Sequence, residues 1–193
     1  PPATQPARRV PDELAKWQLK NFDADGDGEL SPEEQAEVDK FQKQFAEIGR
    51  KFRERMEDLN GDGEVTEEER QELRKQWQAA GLKMIARAVS YMDADGDGTI
   101  SPEERRGFQQ RMQGGMTKYL EKFSESYDAD RNGRLDPAER EKLLDGAAKE
   151  LERRTEKFDA DHNGRLSPDE MMDMMEDFVR EDLGIKPAPA TQP

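Results

Sequence analysis

The chain has 193 residues, 32% hydrophobic and 39% charged, with a formal net charge of -14. So polar a composition argues against one thick apolar core and favours several small cores between short amphipathic helices. So acidic a balance points away from nucleic acid and anionic membrane surfaces, which recruit Lys and Arg, and towards cations as partners. There is no cysteine, hence no disulfide framework or thiolate metal site, and no stretch approaches the roughly 20 apolar residues that span a bilayer.

The first residues are rich in Pro and small side chains. The pentapeptide Pro2–Pro6 recurs at the other end as Pro189–Pro193, and residues 1–10 and 185–193 are expected to be flexible tails. The chain begins with Pro1 and contains no cysteine, from which a secreted or periplasmic location is expected.

Between the tails one pattern recurs in five places: DADGDGELSPEE from Asp23 to Glu34, DLNGDGEVTEEE from Asp58 to Glu69, DADGDGTISPEE from Asp93 to Glu104, DADRNGRLDPAE from Asp128 to Glu139, and DADHNGRLSPDE from Asp159 to Glu170. The first four start 35 residues apart and the fifth starts 31 after the fourth, a self-similarity that signals an array of supersecondary units. The flanks are rich in Glu, Lys, Arg, Gln and Leu with apolar residues at helical spacing, as with Leu14, Leu19 and Phe22 before the first repeat. Each unit therefore reads as helix, loop, helix, and strand-like alternation is absent.

These loops resemble those of the EF-hand superfamily, whose best-known member is calmodulin, over nearly everything from about Asp12 to Leu183. The resemblance implies an all-α tandem array of five helix-loop-helix hands, mostly paired, over residues 11–47, 48–81, 82–115, 116–147 and 148–184. It also implies about five calcium sites. A hard divalent cation takes six to eight oxygens, and the twelve-residue loop offers them from positions 1, 3, 5, 7, 9 and 12. Position 1 is Asp23, Asp58, Asp93, Asp128 and Asp159; position 3 is Asp25, Asn60, Asp95, Asp130 and Asp161; position 5 is Asp27, Asp62, Asp97, Asn132 and Asn163. Position 7, which acts through its backbone carbonyl, is Glu29, Glu64, Thr99, Arg134 and Arg165, and position 9 is Ser31, Thr66, Ser101, Asp136 and Ser167. Position 12 is always glutamate, Glu34, Glu69, Glu104, Glu139 and Glu170, whose two oxygens suit calcium better than magnesium. Glycine holds position 6 throughout, where the chain turns sharply around the ion, and an apolar residue holds position 8, which in the family pairs two loops through a short backbone bridge.

Positions 9 to 12 also spell a helix start, with a capping hydroxyl or carboxylate and a glutamate three residues on. That reading leaves the carboxylates at positions 1, 3 and 5 and the glycine at 6 unexplained, so it accompanies metal binding and does not replace it. Positions 1, 3, 5, 9 and 12 together hold eighteen carboxylates; five calcium ions would take the net charge from -14 to -4, so metal and folding are expected to be coupled. Lanthanide ions, similar in size and in their preference for oxygen, are expected to bind in vitro. Lanthanide-specialised relatives carry proline at position 2 and an acidic position 9, whereas here position 2 is Ala or Leu and only Asp136 is acidic at position 9, so calcium comes first.

Five is an odd number for a family whose hands work in pairs. The shared motifs of hands one and three suggest pairs one–two and three–four; the shorter step to the fifth suggests four–five; an unpaired fifth hand would resemble the penta-EF-hand family, in which the odd hand makes a dimer. After the last loop stand Met171, Met172, Met174, Met175 and Phe178, either local core or a flexible face for a protein partner or self-association. Two functional readings stay open: a calcium buffer, store or calcium-stabilised scaffold, and a sensor that exposes this helix to a partner. No enzyme is expected, since no nucleophile has a base beside it and the one histidine, His162, occupies a non-ligating loop position. Hand two, preceded by Glu57 where the other loops follow an aromatic residue or methionine, is expected to be the most divergent.

Overall fold

The computed structural model describes residues 12–187; the repeated pentapeptides lie outside the described residues. Six α-helices run in sequence: α1 (Asp12–Phe22), α2 (Pro32–Glu57), α3 (Glu67–Met92), α4 (Pro102–Glu125), α5 (Pro137–Phe158) and α6 (Pro168–Asp177), followed by a π-helical turn, Phe178–Asp182. No strand or bridge occurs among the described residues, and no helix there is long and apolar enough to cross a membrane.

Every helix after the first begins the same way. Ser31, Thr66, Ser101, Asp136 and Ser167 are N-caps whose side chains accept from the backbone N–H three residues on, while Glu34, Glu69, Glu104, Glu139 and Glu170 accept from the N-cap N–H. Two orphan amide groups are satisfied reciprocally at each start, and in four helices Pro takes the first helical position, where its missing N–H costs nothing.

Five loops are thus served by six helices, because each inner helix leaves one loop and enters the next. The expected boundaries at 47/48, 81/82, 115/116 and 147/148 fall inside the continuous helices α2, α3, α4 and α5. No helix breaker interrupts α2: Gly49 is carried inside it.

The helices pack α1 on α2, α3 on α4, α5 on α6, α2 on α3, α2 on α5 and α3 on α6, around small separate cores. In one, Trp17, Phe22 and Phe41 form an aromatic cluster with ring centroids 5.6–6.0 Å apart, and the Trp17 Nε1–H donates to Ser124 Oγ on α4 at 3.0 Å. In a second, Met56 of α2 meets Leu166 and Met174, with Phe52, Phe158 and Met171 packed around them. In a third, Tyr91, Leu183 and Ile185 are packed by Phe108, Met112, Tyr119, Phe178 and Val179. Ile185, assigned above to the tail, is 4% exposed and belongs to this core, because its N–H donates to Val179 O and turns the chain back onto α3 and α4.

The methionine-rich helix α6 is largely spent on the chain's own interior. Met172 and Met174 are buried, Met171 and Phe178 pack on separate cores, and Met175, 58% exposed, alone of the five faces solvent. The reason is electrostatic as well as apolar. Lys83, Arg87 and Tyr91, spaced by four on α3, reach Asp169, Asp173 and Glu176 on α6 at 2.9, 2.5 and 3.1 Å, clamping the two helices together.

Candidate metal centres

Each loop is wound by its own side chains. In loop three, Asp93 accepts from Gly96 N–H at 2.7 Å and Gly98 N–H at 2.9 Å, Asp95 accepts from Asp97 N–H at 3.2 Å, and Asp97 accepts from Thr99 N–H at 2.7 Å. Glu104 closes the ring: its Oε1 accepts from Ala94 N–H at 2.7 Å and its Oε2 from Ser101 N–H at 2.8 Å. Loop one repeats the pattern with Asp23, Asp25, Asp27 and Glu34, and loop two with Asp58, Asn60, Asp62 and Glu69. Loops four and five do the same with Asp128, Asp130, Asn132 and Glu139, and with Asp159, Asp161, Asn163 and Glu170. Where a carboxylate oxygen accepts an N–H, a second lone pair remains, and the Oδ2 atoms of Asp95 and Asp97 accept no backbone N–H, so oxygens are left to face a cation.

The backbone permits this winding at two points. Position 6 is a left-handed glycine in every loop, with φ between 81° and 88°. Position 4 is left-handed too: Gly26, Gly61 and Gly96 adopt it freely, but Arg131 and His162 do so with φ of 58° and 56°, a conformation in which a Cβ crowds the carbonyl. His162 is therefore a turn residue. Position 5 answers for the change, as Asn132 N–H and Asn163 N–H, instead of the position 4 N–H, donate to the first aspartate at 3.1 Å.

At six of these carboxylates the hydrogen bonds favour the ionised form. The Gly28 N–H holds Asp23 below the usual carboxylate range, the Ala24 N–H does so for Glu34, and the Thr66 N–H for Glu69. The Ser101 N–H, with the Ser101 hydroxyl and the Ala94 N–H, lowers Glu104 to about 2. Burial pushes Asp159 and Glu170 upward, but N–H groups of Gly164 and Ser167 and their neighbours outweigh it and both end lowered.

Oxygen atoms of Asp23, Asp25 and Asp27 lie within 4.8 Å of one another, and so do those of Asp93, Asp95 and Glu104, of Asp128, Asp130 and Glu139, and of Asp159, Asp161 and Glu170. Such donor sets, oxygen only and anionic, fit a hard cation of calcium's kind. Among the described residues loop two forms no comparable trio, since Asn60 stands where the others have aspartate. Ser31, Thr66, Ser101, Asp136 and Ser167 are engaged as caps, and the N–H groups of Glu29, Glu64, Thr99, Arg134 and Arg165 bind the position 5 side chains.

A family model described as EF hand matches residues 14–34, 90–104 and 156–175, which are loops one, three and five with adjoining helix. Matches at three separate regions support membership of the EF-hand superfamily. Comparison with curated proteins and with solved structures returned no match.

The hands meet in an order the sequence did not suggest. Hand four sits on hand one: Leu135 N–H, at position 8, donates to Asn21 Oδ1 at 2.8 Å, the Arg134 guanidinium donates to Asp23 O, and Arg140 donates to Asn21 O at 2.7 Å and Leu135 O at 2.9 Å. Arg140 also pairs with Glu37 and stacks 4.2 Å over the Phe22 ring; burial lowers its pKa from the ordinary arginine value. Hand five sits on hand two, with Arg55 Nε–H donating to Gly164 O at 2.6 Å and Leu166 N–H set 3.0 Å from the Met56 sulfur. The expected backbone bridge between position 8 residues is replaced in both places by a side-chain acceptor from an entering helix, Asn21 or Met56. Asn21, Arg55 and Arg140 went unmarked in the sequence; the one available signal was that only hands four and five carry arginine at position 7.

Proposed function

We propose that the protein binds calcium at its five loops and serves as a calcium buffer or store, or as a calcium-stabilised scaffold. The convergence of carboxylate oxygens in four loops, each closed by a glutamate pinned by two backbone N–H groups, carries this reading. Loop two keeps the same winding but, alone of the five, brings no three carboxylates together among the described residues, and it is the weakest. The buffer reading over the sensor is supported by the covered methionines: a helix whose apolar side chains already lie in the chain's own cores has little left to offer a partner.

Isothermal titration with calcium, magnesium and a lanthanide tests the proposal. Five calcium sites are expected, with magnesium weaker and the lanthanide bound as well; fewer than three calcium sites would sink it. An apolar dye separates the functions. A buffer leaves the dye dark with and without calcium, whereas a sensor lights it only with calcium.

A further inference from the structure

Leu183 and Ile185, beyond α6, stand at no ligand position of the loops, yet both are buried. The π-helical turn ends with Leu183 N–H donating to Phe178 O at 3.1 Å, and Ile185 N–H reaches back to Val179 O at 3.0 Å. Between them Gly184 adopts φ of 67°, which glycine takes without a Cβ clash and which folds the chain back on itself. Leu183 and Ile185 are thereby buried in the core with Tyr91, Phe108 and Met112, residues of α3 and α4, the two helices that enter and leave loop three.

The fit is close. A Cβ at Gly115 of α4 would stand 2.9 Å from both the Cβ and the carbonyl oxygen of Leu183, so α4 receives this segment only because glycine is there. Tyr119 meets the Phe178 ring edge-on at 5.0 Å, Tyr91 O–H donates to Glu176 at 3.1 Å, and Arg154 holds Asp182 at 2.7 Å. Tyr91 lies two residues before Asp93 and Phe108 four after Glu104, so the segment bridges both helices near the first and last ligands of loop three. Hands one and two have another loop at this place; hand three has the strap.

The geometry points to residues 178–185 as a tethered ligand of hand three, whose docking and calcium binding at loop three strengthen each other. An ion held between Asp93 at the end of α3 and Glu104 at the start of α4 fixes the angle between these helices. A strap that touches both has its best contacts at one angle, and the coupling between two such events is reciprocal. This rests on calcium binding by loop three, proposed above.

The test uses the full chain and the variants Ile185→Asp and Gly115→Leu, both remote from the ligands. Calcium titration is expected to show one site weakened about tenfold in each, within the usual range of coupling between sites. Adding Ile185→Asp to Glu104→Gln is expected to cause no further loss, which assigns the effect to hand three. Hydrogen exchange of the Leu183 and Ile185 amides is expected to slow with calcium in the wild type but not in Glu104→Gln. Unchanged affinities in Ile185→Asp while exchange shows the strap released would overturn the inference, and so would exchange indifferent to calcium in a wild type that binds it. A wild type that binds no calcium fails at the first titration, and that outcome overturns the calcium reading itself along with the coupling. Should Gly115→Leu not fold, Ile185→Asp alone decides.

Discussion

At the scale of single residues, the glutamate at position 12 does two jobs with one carboxylate. It completes the capping box of the following helix and binds the position 2 N–H at the far end of the loop, so loop and helix start form together. The pH dependence follows. Glu104 has a folded value of about 2 against an ordinary 4.5, so it binds its proton less readily folded than unfolded. Its contribution is complete above about pH 4.5 and is lost as pH falls through about 2. In calcium-free protein the Ala94 and Ser101 amide resonances are expected to titrate with a midpoint near 2; a midpoint near 4.5 would show that these hydrogen bonds do not hold in solution. The winding of each loop was legible in sequence because it is local: every candidate donor, and the glycine that lets the chain turn, lies within twelve consecutive residues. Asn21 and Arg140 were not, because their partners stand more than a hundred residues away and a polar side chain does not announce a distant backbone carbonyl.

At the scale of elements, the capping signals placed the helix starts correctly, since Ser-Pro-Glu-Glu and its variants bind amide groups only a turn away. There are no helix ends between hands: no Pro stands in α2 to α5 beyond the first position, and even Gly114–Gly115 is carried inside α4, so each helix runs from loop to loop. Helix contacts had to be read from the structure, because the small apolar cores are flanked by charged side chains whose spacing also suits a solvated face. Arg140 is the clearest case. Buried against Phe22, with two backbone carbonyls and Glu37 as acceptors, it fastens α5 to the end of α1. Arg140→Ala is expected to cost about 2–3 kcal/mol, reduced from the full value of a buried pair because Glu37 is half exposed. Arg140→Lys is expected to recover little of it, since an ammonium cannot both stack on a ring and fork between two carbonyls. Urea unfolding of the three proteins checks both; a wild-type midpoint for Arg140→Ala would show that hands one and four are not clamped.

At the scale of the molecule, the cores are small and the charge is large. With eighteen carboxylates gathered in five loops and a net charge of -14, repulsion opposes the metal-free fold. Removal of calcium by a chelator is expected to lower the melting temperature and the helical circular dichroism together, with Trp17 fluorescence reporting loosening of the α1–α4 contact. Identical melting with and without chelator would mean that the helices hold without the ions.

Order along the chain is not order in space. A helix of 26 residues spans about 39 Å, so sites that follow one another across α2 or α3 stand at opposite ends of a rod, while loops one and four, and two and five, touch. If the sites were filled with luminescent lanthanides, excitation would pass between the first and fourth ions and between the second and fifth. Immediate neighbours in sequence would be too far apart to share it efficiently.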